Sequence, residues 1–254
     1  MTKIKLLTYN IAFGSGRNTG NYFKTTKGWL FPNPKNGEVI TKIGELIKKQ
    51  KPDIVCLQEV NLGSKKNGGV KQDKIIENIT GLKKVHSTSN TLFPFYLKLS
   101  NLVFTNQKVV KTEKLKLPVI IFSRYSNLIT FKINNKEIDL INTHLSTAVN
   151  VNLSNKITLS RPWQIKKIIN MVNNRKKPLI LCGDLNCSDK WKEYKTLRKK
   201  TDFQEIKTQN TYPSWDPQHR LDHVLATPEI KLLTTKVLQS NLSDHLPIIS
   251  ELRI

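Results

Sequence analysis

In this chain of 254 residues, side chains that could bind a metal or carry a proton stand where apolar runs stop. Asn10 follows IKLLTY, Glu59 follows DIVCLQ and His144 follows KEIDLINT. Asp184 and Asn186 follow PLILCG, Asp222 opens DHVLA, and Asp244 and His245 stand just before LPII. Carboxylate and amide oxygens suit a hard cation such as Mg2+, which keeps several waters and meets substrate phosphate. Histidine moves protons near neutral pH. Phosphoester cleavage needs both functions. Charge on the phosphoryl oxygens must be neutralised, and an acid or base must serve the attacking water and the leaving group. Taken singly, each residue has a plainer reading. Asn10 could be a turn residue, Glu59 a solvated loop end, His144 a satisfied core histidine, and the Asp184–Asn186 segment an Asx turn. Their joint occurrence at the ends of apolar runs, in the order N, QE, TH, GDLN, RLDH, SDH, favours a shared pocket.

The elements that must position them can be read from periodicity. Residues 4–12 read as a buried strand and residues 13–37 as a long basic loop. Glu38–Gln50 has helical spacing at Val39, Ile43, Leu46 and Ile47, and Pro52 stops it before the strand DIVCLQEV. Lys71–Ile79 reads as a short helix. Residues 82–145 are β in texture, with Asn134-Asn135 as a hairpin turn. Leu159–Asn174 is a helix with Ile165, Ile168, Ile169 and Val172 on its apolar side, and Trp191–Lys199 a shorter one. RLDHVLAT, IKLLTTKVL and HLPIISELRI close the chain as strands. Nothing reads as a flexible linker, so one domain over 1–254 is expected. Many strands with a few interspersed helices fit two mainly antiparallel sheets packed face to face, with helices outside.

Charge narrows the partners. Lys and Arg number 42 against 19 Asp and Glu, a formal net charge of +23. Such a surface attracts nucleic acid, anionic lipid or phosphorylated small molecules, although lysines scattered along the whole chain also fit compositional drift. The three cysteines, Cys56, Cys182 and Cys187, fit reduced buried thiols better than a disulfide framework. The first residues hold too short an apolar run for a signal peptide. No stretch approaches the roughly 20 apolar residues of a membrane helix. These readings point to a cytoplasmic monomer.

The blocks LLTYNIAFG, PDIVCLQEV, INTHLS, RPWQ, LILCGDLNCS, TYPSW…RLDHVLAT and LSDHLPII together resemble the endonuclease/exonuclease/phosphatase superfamily. That superfamily includes deoxyribonuclease I, exonuclease III, neutral sphingomyelinases and inositol polyphosphate 5-phosphatases. The resemblance runs from residue 6 to residue 249 and implies a four-layer α/β sandwich with its site at one edge of the two sheets. It implies Glu59 as principal metal ligand with Asn10 and Asp244 near the same cation, Mg2+ with Mn2+ able to substitute. It implies Asp184 and Asn186 as holders of the attacking water and scissile phosphate. His245 is implied as a proton-transfer residue oriented by Asp222, and His144 as a second phosphate-facing histidine. The resemblance leaves open which histidine is acid and which is base. Val60 after Glu59, and a histidine at 144, differ from the lysine and tyrosine usual in apurinic-site endonucleases and disfavour that branch. Ser100-Asn101 stands where glycine-asparagine is usual, so no substrate contact is transferred to the segment after it.

A nuclease is the expected function. The alternative is a phosphodiesterase or phosphatase of lipid head groups, inositol phosphates or nucleotides. The intact set of acids, amides and histidines disfavours a catalytically silent binding protein. Arg17, Lys24, Lys27 and Trp29 in the loop after Asn10 are expected to grip substrate, the cations on phosphates and the indole on a base. Arg161 and Gln164 share one helix face, either as a brace behind the Asp184 loop or as a solvated helix start. Cys187 is read as a bystander, since magnesium disfavours sulfur. His219 and Arg220 could reach phosphate, and His86 and His223 have no evident partner.

Overall fold

Strand β1 (Lys3–Asn10) is followed by helix α1 (Asn36–Gln50), β2 (Ile54–Asn61), α2 (Gln72–Thr80), β3 (Lys83–Leu92) and β4 (Leu97–Thr105). Next come β5 (Lys108–Leu117), β6 (Arg124–Ile133), β7 (Lys136–His144) and a small ribbon of β8 (Val149–Asn152) and β9 (Asn155–Ile157). Helix α3 (Arg161–Asn173), β10 (Leu179–Asp184), α4 (Lys192–Lys200), β11 (Asp222–Ala226), β12 (Lys231–Val237) and β13 (Ile248–Arg253) complete the order. The computed structural model describes residues 2–16, 36–64, 68–92, 97–119, 124–147, 149–152, 155–157 and 160–254. Arg17, Lys24, Lys27 and Trp29 lie outside the described residues.

The strands form a six-stranded sheet, β12-β13-β1-β2-β4-β3, and a five-stranded sheet, β11-β10-β7-β6-β5. Neighbours are antiparallel except for one pair at the heart of each sheet. β1 runs parallel to β2, and β7 runs parallel to β10. Parallel neighbours need a crossover, which α1 and α3 provide. This pairing decides where the polar groups go. The carboxyl ends of β1, β2, β7 and β10 all reach one edge, and the antiparallel neighbours β11 and β13 begin there.

Both faces of the central strands are covered. Ile4, Leu6, Ile54 and Cys56 meet Ile129, Phe131, Leu140, Ile180 and Cys182 between the sheets. On the outside of the larger sheet, Leu7, Tyr9, Val55 and Leu57 lie under Ile40, Ile43 and Ile47 of α1 and Ile76 of α2. On the outside of the other, Ile141, Leu179 and Leu181 lie under Ile165, Ile168 and Val172 of α3 and Leu197 of α4. The result is the expected four layers. It also explains why runs such as IVCL and LILC are apolar throughout instead of alternating. Asn134 and Asn135 turn from β6 to β7 with φ of 48° and 63°, the left-handed pair a two-residue hairpin turn requires. All three cysteines are buried and unpaired. Among the described residues no helix is long and apolar enough to cross a membrane.

Candidate active site

Three local departures from regular strand bring the polar ends together. β2 carries a bulge between Leu57 and Val60 in its pairing with β4, and Glu59 sits there at φ 56°. A bulge re-aims a side chain, and a non-glycine residue in the left-handed region persists only where its surroundings enforce it. At the end of β10, Gly183 has φ 123°, and a Cβ there would stand 2.1 Å from the Thr143 carbonyl oxygen on β7. Only glycine lets β7 and β10 approach closely enough to register His144 opposite Asp184. In the turn that follows, Asn186 is again left-handed, at φ 48°.

Beneath the site lies a polar layer that joins the two sheets. Gln58 of β2 donates through Nε2 to Asn142 Oδ1 of β7 at 2.7 Å and to Thr8 Oγ1 at 3.0 Å. Asn142 returns Nδ2 to the Leu102 carbonyl at 2.9 Å. Asn127 Nδ2 donates to the Asn101 carbonyl at 2.9 Å, and Asn101 Nδ2 to the Tyr125 carbonyl at 3.0 Å. These amides fix one sheet against the other where the polar groups of the candidate site emerge.

The pocket itself centres on Asp184, which is fully buried. Asn10 Nδ2 donates to Asp184 Oδ2 at 3.0 Å, and the Asn186 backbone N–H donates to Asp184 Oδ1 at 2.7 Å. His144 Nε2 lies 3.5 Å from Asp184 Oδ2 and 3.8 Å from Glu59 Oε1. His245 Nε2 lies 3.7 Å from Asp184 Oδ2, while its Nδ1 donates to Asp222 Oδ2 at 2.8 Å. Thr211 Oγ1 donates to the same Asp222 oxygen at 2.6 Å, and Tyr212 packs its ring 4.8 Å from that of His245. Asp244 precedes His245 in a segment that Ser243 ties to the Asn10 carbonyl at 2.8 Å. Glu59, His144, Asp184, Asn186, Asp222, His245 and Asn10 are thus linked by contact into one cluster, and buried Asp244 acts on His245 by its charge.

Burial and charge drive these groups apart. Burial alone would lower the His245 pKa, but Asp222, Asp184 and Asp244 outweigh it and raise it to about 10. His144 goes the other way. Burial, then the positive Arg124 and His245, hold it well below the usual imidazole range, despite the two carboxylates near its Nε2. Burial pushes the Asp184 carboxyl up to about 6, with Asp222 adding to the rise and His245, Asn186 and Asn10 opposing it. Two histidines of opposite tendency and a carboxyl near neutrality are what proton transfer at physiological pH requires.

The donor set also fits a divalent cation. Glu59, Asp184, Asp222 and Asp244 outnumber the nearby cationic groups, so the pocket carries excess negative charge. Oδ1 of Asp222 is buried without a hydrogen-bond partner among the described residues. Asp184, Asp222 and His245 present possible ligand atoms within 4.8 Å of one another. The short Nδ1 contact with Asp222, however, marks that histidine as an oriented imidazole.

Several residues that hold the site are less visible in sequence. Arg161 is buried and donates to the Asn186 carbonyl while pairing with Glu193 at 3.0 Å and lying over Trp191. Gln164 accepts from the Ser146 N–H at 2.9 Å and donates to the Pro118 carbonyl at 3.1 Å. Both are thus braces and not a solvated helix start. Arg124 donates through Nη1 to the carbonyls of His144 at 2.8 Å and Leu145 at 2.6 Å, and Asn186 Nδ2 shares the Leu145 oxygen at 3.0 Å. Arg124 carries no such signal in sequence, because an arginine at a strand start gives no sign of burial. Arg220 turns into a buried pair with Glu205 at 2.9 Å, and His219 lies beside Trp191. Cys187 is buried, and burial pushes its thiol up to about 12, consistent with an inert bystander.

The sequence matches the model of the Endonuclease/Exonuclease/phosphatase family over residues 7–245. Among curated proteins, none matches. Solved structures of the same fold include an endonuclease/exonuclease/phosphatase from Bacteroides vulgatus, at 16% identity and TM-score 0.74 over 100% of both chains. A mannosyl-6-phosphatase from Bacteroides thetaiotaomicron matches at 16% identity and TM-score 0.69, over 99% of this chain and 100% of that one. Sphingomyelinase C from Streptomyces griseocarneus matches at 16% identity and TM-score 0.71, over 99% of each.

Proposed function

Because the chain belongs to the endonuclease/exonuclease/phosphatase family, a family of phosphoric ester hydrolases, we propose that it is a Mg2+-dependent phosphodiesterase that cleaves nucleic acid. The observation that carries the chemistry is the arrangement of His245 between Asp222 and Asp184, with His144 reaching the same Asp184 oxygen and Glu59 near that second histidine.

Glu59, Asn10 and Asp244 would hold the cation, Mg2+ or Mn2+ in its place. A cation bound there would supply neutralisation of the phosphoryl negative charge. The chain's own residues do the rest. Asn186 and Asp184 hold the attacking water and the scissile phosphate. Asp184, with its carboxyl near 6, is matched to receive a proton from that water near neutral pH. Asp222 keeps His245 protonated and fixes the ring's orientation, so Nε2–H faces the phosphate as a hydrogen-bond donor. His144 stays neutral and donates its N–H to a second phosphoryl oxygen; as the water oxygen bonds to phosphorus the ester P–O bond breaks, and the leaving oxygen takes a proton from His245.

The net charge of +23 supports a polyanionic substrate over a small neutral-headed one. Arg17, Lys24, Lys27 and Trp29, outside the described residues, are proposed to grip that strand. We place the protein in the cytoplasm as a monomer, with its unpaired buried thiols as support. The solved structures of this fold include a sugar phosphatase and a sphingomyelinase, so the test is a parallel one. Purified protein with Mg2+ or Mn2+ is assayed on plasmid DNA, single-stranded oligonucleotides, RNA, sphingomyelin and inositol polyphosphates. Cleavage of a nucleic acid with the highest kcat/KM is expected. Turnover confined to lipid or inositol phosphates would replace the nuclease reading.

A further inference from the structure

The mechanism above leaves one buried histidine without a part. His223 stands next to Asp222 on β11 and so faces the opposite side of the sheet, where its ring stacks on Tyr194 of α4 at 4.5 Å and 26°. Its Nδ1 lies 2.9 Å from Glu205 Oε1, and its Nε2 lies 3.0 Å from the carbonyl oxygen of Cys187. A backbone carbonyl can only accept. Glu205 takes hydrogen bonds from Arg220 at 2.9 and 3.1 Å and from the Tyr194 hydroxyl, so it too is an acceptor here. Two acceptors require a hydrogen on each ring nitrogen.

The Cys187 carbonyl directly follows that of Asn186, which Arg161 holds. Two successive carbonyls of the catalytic turn are therefore anchored from the outer layer. Arg161 takes one, backed by Glu193, and His223 takes the other, backed by Glu205. The first of these carbonyls belongs to Asn186 itself, a residue in left-handed conformation whose side-chain amide reaches Leu145 and Asp184. We propose that His223, held by Glu205 as a donor on both ring nitrogens, is a positioning residue that orients Asn186 for catalysis. This rests on the reading of Asn186 given above.

The test uses His223→Phe, which keeps the ring and its stacking but removes both N–H groups. On bis(p-nitrophenyl) phosphate with Mg2+, kcat should fall about 10²-fold, as for an ångström-scale misplacement, with KM little changed. If His223 acts through Asn186, the same change in an Asn186→Ala background should cost less than about 2-fold. Losses that multiply in full would overturn the proposal, because a merely structural role gives that result. Independently of turnover, imidazole 15N spectra of the wild-type protein should show two N–H signals from His223. Both should shift in Glu205→Gln and vanish in His223→Gln. A single N–H would overturn the double-donor assignment even if His223→Phe does not fold. A wild-type enzyme inactive on every phosphodiester would overturn the phosphodiester reading and the role through Asn186, and the ring spectrum would still decide the donor state.

Discussion

Replacing Gly183 with alanine should damage stability and turnover together. The added methyl would sit 2.1 Å from the Thr143 carbonyl oxygen and 3.1 Å from the carbon and nitrogen of the same residue. Ordinary contact begins at 3.4 Å, so the fit falls short by about 1.3 Å. The obstacle is backbone, which has no rotamer to escape into. Overpacking of this kind costs about 1–3 kcal/mol, and a φ of 123° forced on an L residue adds about 1–3 kcal/mol. A total of roughly 2–6 kcal/mol is a large part of the 5–15 kcal/mol that holds a typical domain together. Relief comes only by moving β10 away from β7, and that shifts Asp184 against His144. A misplacement of about 1 Å can cost about 10²-fold in rate. Urea unfolding followed by circular dichroism gives the first quantity, and kcat on a chromogenic phosphodiester gives the second. Stability within about 0.5 kcal/mol of wild type, the range of an ordinary surface change, together with undiminished kcat would refute the reasoning.

Glu59→Gln keeps the shape and removes one of the crowded carboxylates, so activity should fall by orders of magnitude with the fold intact and Mg2+ binding weakened. Full activity in this variant, or in EDTA, would sink the metal role. Asp222→Asn and His245→Ala should each lower kcat on the order of 10²–10⁴-fold, and the double variant should be little worse than His245→Ala. Additive losses would mean that the 2.8 Å contact is not a working pair. Glu205 shows how the outer layer responds to acid. Burial raises its pKa, but His223, Arg220 and Tyr194 outweigh that and hold it below 4.5. A carboxyl with a depressed folded-state pKa contributes stability that is present above its unfolded value, about 4.3, and is lost as pH falls through the folded value. Wild-type protein should therefore lose stability more steeply below about pH 4.5 than Glu205→Gln does. Parallel acid-unfolding curves would contradict this.

The ends of the apolar runs were legible because a buried strand that stops at a polar residue marks an edge. Asn10, Glu59, His144 and Asp184 all lie at or near such ends, and the helical stripe from Ile165 to Val172 follows its period into the core. What periodicity does not carry is the partner. Gln58 and Asn142 look like ordinary strand polars until the two sheets face each other. Gly183 looks like a turn glycine until β7 is known to be its parallel neighbour. The partners of His223 are hidden in sequence because Glu205 lies in an irregular segment and Cys187 contributes a backbone atom, which no side-chain pattern reveals. The single parallel pair in each sheet is likewise a matter of strand order, which local sequence does not specify.

The return of the chain to its starting sheet has a consequence for how the protein comes into being. β13 pairs with β1 from Lys3↔Arg253 to Thr8↔Ile248, joining strands at opposite ends of the sequence. Closing so long a loop costs entropy that the contact repays only after it forms, and such non-local pairing slows folding. Asp244 and His245 reach the pocket with the segment that leads into β13. A refolding chain can thus complete its second sheet, with Asp184, His144 and Asp222 in place, and still lack half of its proton-transfer pair. Hydrolysis should return with the slowest phase of refolding, after the helical signal has recovered, which makes turnover a clock for the last strand to dock.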